Sequence, residues 1–218
     1  DKIGDKLSLL NASGKGANTV RYYDGADPDD IWAVKSAGID PSNGKELFYA
    51  KDGSYTYDFS YDDEVICGNT RPDVEGVIGS SLNWKGFSVS LNFRYQMGAD
   101  VFNEALYSKV ENISRSDLNK NQDKRALYER WQEEGDIVRF KNIASAETTP
   151  MSSRFVQEEN VLTLESVYLG YEFYDGWIKK LGLSSLKFQV SMRDVFRAST
   201  IRSERGISYP FAGLSFNF

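Results

Sequence analysis

Two adjacent segments of the chain alternate between apolar and polar residues, which is the pattern of β-strands with one apolar face. Over 87–97 the alternation is strict through eleven residues, and over 76–84 it places Leu82 and Trp84 on one face. The dipeptide Lys85-Gly86 between them predicts a hairpin with a two-residue turn. At about 3.3 Å per residue and about 45° tilt, a strand of this length spans roughly 25 Å, which matches the apolar band of a membrane barrel.

Similar patterns predict further strands on both sides of this hairpin, at about 31–37, 45–51, 161–173, 184–194 and 207–218. Glu165 interrupts the apolar face of its strand, which indicates either a position outside the lipid band or a β-bulge that shifts the register. The final strand places Phe216 and Phe218 in phase with the apolar stripe. An aromatic last residue in this phase is typical of bacterial outer-membrane barrels, so we expect these two residues to form an assembly signal.

A long insertion of about sixty residues, 101–160, separates the predicted strands. Its composition predicts a helix over 123–134, capped by Asp123 and ended by Gly135, and a second short helix over 101–110. Long excursions on one side and short turns on the other are expected of outer-membrane barrels. The pattern therefore predicts an all-β fold whose long loops carry short helices.

Candidates for substrate contact are two aromatic side chains of the insertion, Tyr128 and Trp131. Such rings can stack on a sugar, although they more often pack a loop helix onto its neighbours. On the polar face of the strands, Arg94 and Arg193 are placed either to contact an anionic substrate or to pair with acidic residues. The second role is the more common one for such arginines.

Three acidic stretches are candidates for cation binding, namely Asp24–Asp30, Tyr61–Glu64 and the oxygen-rich run 117–123. The third lacks the glycine and the glutamate of an EF-hand, and all three are better interpreted as solvated loops. We assign Cys67 to a polar loop in which nothing activates the thiol. No metal site, catalytic residue or cofactor is therefore expected.

Composition narrows the possible functions. Aromatic residues make up 14% of the chain, and the net charge is −6, which argues against a nucleic-acid partner. The chain has no histidine, which removes the commonest general base at neutral pH, and its single cysteine removes an internal disulfide framework. No apolar run is long enough for a transmembrane helix, but barrel strands give a much weaker hydropathy signal.

Segments in a fixed order from Ile31 to the last residue resemble the C-terminal region of SusC-like TonB-dependent transporters. They are IWAVKSAGIDPSNGKELFYAKDG, WKGFSVSLNFRYQMGADVFN, NISRSDLNKNQDKRALYERWQEEGD, SSRFVQEENVLTLESVYLGYEF, LGLSSLKFQVSMRDVF and YPFAGLSFNF. The resemblance implies the C-terminal strands of a large antiparallel barrel of about 22 strands, with a plug inside it. It also implies import of oligosaccharides or peptides across the outer membrane of a Gram-negative bacterium.

The resemblance further implies partners. They are a SusD-like surface lipoprotein, TonB acting through the plug, and outer-membrane lipid. The chain is much shorter than the family, because the plug and the N-terminal strands are absent from 1–218. So few strands cannot close such a barrel, and an open edge in lipid would leave backbone groups unpaired. We therefore expect the rest of the barrel to belong to another chain or to a longer form of this one.

The alternative interpretation is a soluble β-sandwich that binds carbohydrate. A sandwich strand also has one polar and one apolar face, and strand length is what favours the barrel. Neither interpretation is an enzyme, since the abundant carboxylates fall in runs typical of solvated loops rather than in an apolar pocket. Solubility distinguishes the two, because a barrel segment should aggregate without detergent and its partner strands.

Overall fold

In a computed structural model, the structure describes residues 2–114, 116–117, 119–145, 147–174, 176–180, 182–201 and 213–217. The chain forms two compact units. One, which we call the loop unit, contains Asp1–Arg71 and Ala99–Glu158, and the other, the sheet unit, contains Pro72–Gly98 and Glu159–Phe218. No helix in the described part of the chain is long and apolar enough to cross a membrane.

The elements are mainly strands. The helices are α1 (Lys2–Gly14), α2 (Glu104–Leu106), α3 (Arg125–Tyr128) and α4 (Trp177–Lys180). The strands are β1 (Asp30–Val34), β2 (Ser36–Ile39), β3 (Glu46–Tyr49), β4 (Tyr55–Thr56), β5 (Glu64–Asn69), β6 (Val74–Trp84), β7 (Phe87–Phe102), β8 (Val156–Phe173), β9 (Leu186–Ser199) and β10 (Gly213–Asn217). A π-helical turn covers Tyr107–Glu111, and 3₁₀ turns cover Tyr61–Asp63 and Ser153–Phe155.

Strands β6 to β10 form one five-stranded sheet in chain order, and the pairs β6–β7, β8–β9 and β9–β10 are antiparallel. The turn between β6 and β7 is the predicted dipeptide, with φ 47° at Lys85 and 88° at Gly86. Positive φ at both positions is what a type I′ hairpin turn requires. A Cβ on Gly86 would lie 2.6 Å from the carbonyl oxygen of Glu172, so this position also requires a residue without a side chain.

The loop unit contains two small antiparallel sheets and its own hydrophobic core. Strand β1 pairs with β5, and β3 lies between β2 and β4. The buried core residues are Leu106, Val110, Ala126, Phe140 and Phe155. All five belong to the insertion, so the long insertion is a packed structure with a core of its own.

Several predictions for the loop unit were wrong. The helix expected over 123–134 covers only Arg125–Tyr128, because the backbone of Glu129 and Trp131 bonds to Phe140 instead of continuing the helix. Helix α1, Lys2–Gly14, was not predicted. Cys67 lies in β5, which was not predicted, and its thiol donates to the carbonyl of Ala33.

The observed strand ends differ from the predicted ones in several places. The strand expected over 87–97 continues to Phe102, and the one expected over 161–173 begins at Val156, which shortens the insertion to 103–155. The strand expected over 184–194 covers Leu186–Ser199. The segment expected over 31–37 is divided between β1 and β2, and the one expected over 45–51 covers Glu46–Tyr49. In the last segment, 213–217 is a strand and 207–212 lies outside the described residues.

Candidate functional site

The five-stranded sheet has one apolar face, and this face is exposed. Cross-strand pairing in β6 and β7 sets Ile78 opposite Phe93, Leu82 opposite Val89, and Trp84 opposite Phe87. The side chain of Leu82 is 65% exposed and that of Trp84 is 62% exposed. Exposed apolar side chains that adjoin one another in this way mark a surface that contacts something apolar.

The apolar face continues across β8 and β9. The pairs are Val167 with Met192, Leu169 with Val190, Tyr171 with Phe188, and Phe173 with Leu186. In β10 the backbone of Phe216 pairs with Phe188, so its register places it in the same apolar row. Phe218, the other residue of the expected assembly signal, lies outside the described residues.

Aromatic rings gather at the end of the sheet that carries the β6–β7 turn. The ring centroid of Tyr171 lies 4.4 Å from that of Phe87 and 4.5 Å from that of Phe173, and Phe173 lies 5.8 Å from Trp177. Aromatic girdles of this kind flank the apolar band of outer-membrane barrels at the water interface. This end of the sheet therefore has the composition expected where the apolar band of a barrel meets water.

The opposite face of the sheet is polar and cross-linked by side-chain hydrogen bonds. Asn92 Nδ2 donates to Ser166 Oγ over 2.8 Å, and Tyr168 donates its hydroxyl to Gln189 Oε1 over 2.9 Å. Arg94 Nε donates to Glu165 Oε1 over 2.5 Å. Arg94 is thus paired with an acidic residue, the more common of its two expected roles, while Arg193 is exposed.

A β-bulge accounts for the charge that interrupted the apolar pattern. The pairing of β8 with β9 shifts register between Leu164 and Ser166. Opposite the shift, Asp194 has φ 50°, a left-handed conformation that non-glycine residues rarely adopt. The predicted bulge is confirmed, and Glu165 lies at it with its carboxylate on Arg94.

The two aromatic candidates of the insertion have different environments. Trp131 donates Nε1–H to the carbonyl of Pro41 over 2.9 Å, and a Cβ on Gly44 would lie 2.5 Å from its ring. Its ring therefore packs on the 41–44 turn, the more common role expected for it. Tyr128 is 75% exposed, which leaves its ring accessible to a ligand.

A buried ionic cluster in the loop unit was not predicted. Arg154 Nη2 lies 2.7 Å from Glu46 and 2.8 Å from Glu111, and all three side chains are at least nine-tenths buried. Burial lowers the pKa of Arg154, but the hydrogen bonds that it donates to both carboxylates, and their negative charges, outweigh this effect and hold that pKa above its ordinary value. Ser152 donates to Glu46 and Thr149 to Glu111, so the carboxylates are also hydrogen-bonded.

The sequence gives no signal for this cluster, because its members are 108 and 43 positions apart. A second buried arginine, Arg130, donates to the carbonyls of Val110, Glu111 and Lys141. Burial lowers its pKa. The guanidinium thereby satisfies carbonyls at the end of the π-helical turn.

The acidic stretches considered for cations are engaged by cationic side chains. Arg71 lies 3.5 Å from Asp27 and 2.9 Å from Asp29. Lys120 and Arg125 pair with the carboxylates of the 117–123 run, and Arg21 pairs with Glu64. Within the described ranges, no group of three or more Asp, Glu, Cys or His side chains is arranged to hold a metal ion.

Comparison with known proteins gives a consistent likeness, although no family model matches the chain. TonB-dependent receptor P39 of Formosa agariphila is 25% identical over 77% of this chain and 16% of its own length. TonB-dependent receptor P3 of the same organism is 25% identical over 78% of this chain and 16% of its own length. The chain thus spans about a sixth of the curated relatives it matches.

Solved structures share the fold. The match to the RagAB peptide importer in its open-open state covers 86% of this chain and 21% of the importer chain, with TM-score 0.66 and 20% identity. The match to the closed-closed state covers 86% of this chain and 22% of the importer chain, with TM-score 0.64 and 20% identity. The predicted all-β barrel class is confirmed, and the proteins similar to this chain are named as receptors and transporters rather than enzymes. The chain is therefore similar in sequence to part of two TonB-dependent receptors and in fold to part of a peptide importer.

Proposed function

We propose that the chain forms part of the wall of a SusC-like outer-membrane transporter that imports oligosaccharides or peptides. The observation that carries the proposal is the two-faced sheet, whose apolar face is exposed and whose polar face is cross-linked by hydrogen bonds. In a barrel, lipid contacts the first face and water the second. Likeness to TonB-dependent receptors supports the same assignment.

In this proposal, 1–218 is the C-terminal segment of the barrel, and the plug and N-terminal strands lie in the rest of the transporter. That remainder is needed because the strands described cannot close a barrel of the family's size. TonB would act through the plug. Phe216 and Phe218 would serve as the assembly signal at the last strand.

The long insertion would lie on the extracellular side, where it contributes to substrate capture or to contact with a SusD-like lipoprotein. Tyr128 supports a contact role because its ring is exposed on a loop that is held by a packed core. Trp131 would act on substrate only indirectly, since its ring packs on the 41–44 turn. Its proposed role is to hold the insertion in place.

The sandwich alternative is less well supported. A sandwich needs a second sheet to cover the apolar face, yet Leu82, Trp84 and Phe87 are each more than half exposed. The test is native co-purification from detergent-extracted outer membranes, with an affinity tag inserted after Gly53, where a Cβ would meet no neighbour. Recovery from the membrane with a surface lipoprotein supports the transporter, and recovery as a soluble folded monomer overturns it.

A further inference from the structure

Three exposed lysines lie at the end of the five-stranded sheet that carries the β6–β7 turn. Lys85 is in the turn, and Lys179 and Lys180 end helix α4, which follows β8. None of the three forms an ion pair with a carboxylate among the described residues. The connection 174–185, which contains α4, has a single acidic residue, so this end of the sheet carries an excess of positive charge.

The lysine of the turn lies against the apolar row of the sheet. Lys85 Nζ is 5.2 Å from the ring centroid of Trp84, and that ring is 62% exposed beside Phe87. A lysine in this position can keep its stem on apolar surface and its ammonium in water. The ammonium is therefore placed where the apolar face ends and polar surroundings begin.

The backbone gives a second reason to assign a role to this charge. Lys85 has φ 47°, a left-handed conformation that a lysine rarely adopts. Asparagine, aspartate or glycine fits this position of a type I′ turn better. Because lysine is a poor choice for the turn itself, its presence points to a function for the side chain.

Helix α4 places a second lysine near the same aromatic rings. Ile178 is fully buried and anchors the helix, whereas Trp177 is 51% exposed with its ring centroid 5.8 Å from that of Phe173. Residues three apart share one side of a helix, so Lys180 lies on the side of Trp177. The carboxylate nearest in the strand, Glu172, alternates onto the polar face and leaves this side cationic.

We propose that this end of the sheet binds anionic phospholipid, with Lys85 and Lys180 on headgroup phosphates and the acyl chains along the apolar face. A lipid with a negative headgroup matches both the lysines and the exposed rings, whereas a soluble anion would leave the apolar row uncovered. In a zwitterionic lipid, the ammonium of the headgroup already neutralises the phosphate. The inference rests on the proposed function, because the apolar face meets lipid only as part of a barrel wall.

The test reconstitutes the intact protein into vesicles that mix phosphatidylcholine with phosphatidylglycerol, one of the two carrying brominated acyl chains. Bromine quenches tryptophan fluorescence, and Trp84 and Trp177 lie at the proposed site, so quenching reports which lipid binds there. Each lysine near an anionic headgroup contributes about fivefold, which predicts a preference of about 25-fold for phosphatidylglycerol at low salt. The preference should largely disappear at about 1 M salt, where the Debye length is about 3 Å.

Variants locate the site. Lys85→Asn and Lys180→Gln should each lower the preference about fivefold, and asparagine suits the turn, so the first variant should fold normally. Lys187→Gln is the matched control, because Lys187 lies near the same end but on the polar face, with Nζ 6.0 Å from the ring centroid of Tyr168. It should keep the parent preference.

Three results would overturn the inference while the protein still enters the vesicles. They are a parent preference below about threefold, a parent-like preference in both Lys85→Asn and Lys180→Gln, and an equal loss in Lys187→Gln. A protein that remains soluble and folded without entering the vesicles would overturn the proposed function, and this inference with it.

Discussion

A positive charge at Leu91 should weaken the folded barrel far more than the same charge at the neighbouring Ser90. The two residues alternate along β7, so Leu91 lies in the apolar row and Ser90 in the polar row. Phe87, at the aromatic end of the sheet, is four residues from Leu91. At about 3.3 Å per residue and about 45° tilt, Leu91 is roughly 9 Å inside an apolar band about 25 Å tall.

This depth is close to the midplane, where an arginine on the lipid face is destabilising by about 2–4 kcal/mol. Even the lower value is about a 30-fold change in the folding equilibrium, since each 1.4 kcal/mol is tenfold. Ser90→Arg should change stability by less than about 0.5 kcal/mol because the new side chain enters water. The nearby Arg94 should repel it little, since Glu165 already pairs with that guanidinium.

The assay is a urea titration of the intact protein folded into lipid vesicles, followed by tryptophan fluorescence. The free energy of unfolding should fall for Leu91→Arg and remain near the parent value for Ser90→Arg. Equal losses in the two variants, or no loss for Leu91→Arg, would refute the assignment of the apolar face to lipid.

Three further changes test other parts of the structure. Gly86→Ala should destabilise by at least about 1 kcal/mol in the same titration and more than Gly53→Ala, because both glycines have positive φ but only at Gly86 would a Cβ meet backbone. Arg154→Leu should cost about 3–5 kcal/mol by leaving two buried carboxylates unpaired, and a loss under about 1 kcal/mol would contradict the buried cluster. The hydrogen bond from Tyr57 is the main cause that lowers the pKa of Asp40, so Tyr57→Phe should raise that pKa in an NMR titration. Because the folded-state pKa is lowered, the stabilisation from this bond is present above the unfolded-state pKa of Asp40 and is lost as pH falls through the folded-state pKa. If Tyr57→Phe leaves the midpoint of the Asp40 titration unchanged, the assigned role of the bond is contradicted.

Alternation of apolar and polar residues was enough to predict the hairpin of β6 and β7. The pattern reports which face each side chain occupies, and it does so without knowledge of distant residues. Glu165 marks the limit of such reasoning. Its place in the apolar pattern indicated a possible bulge, but the pattern could not show that Asp194 of the neighbouring strand adopts the left-handed conformation opposite it.

The helix expected over 123–134 shows a second limit. Composition favours a helix there, but Leu127 and Tyr128 stay exposed and only Ala126 enters the core, so little apolar surface is buried to support further turns. The chain instead turns so that Trp131 reaches the 41–44 turn. This contact joins positions far apart in sequence, and local propensity carries no information about it.

Long-range packing also explains why the buried charged groups of the loop unit could not be predicted from the sequence. Glu111, Arg130 and Lys141 look like solvated charges when each is considered with its neighbours in the chain. Burial changes their chemistry, since Arg154 and Thr149 occupy one oxygen of Glu111 and leave the other without a partner among the described residues. Polar groups become specific when tertiary packing removes water and limits their partners. In this chain, the surface expected to meet lipid can be predicted from local periodicity, whereas the arrangement of the buried charged groups in the loop unit is set by long-range contacts.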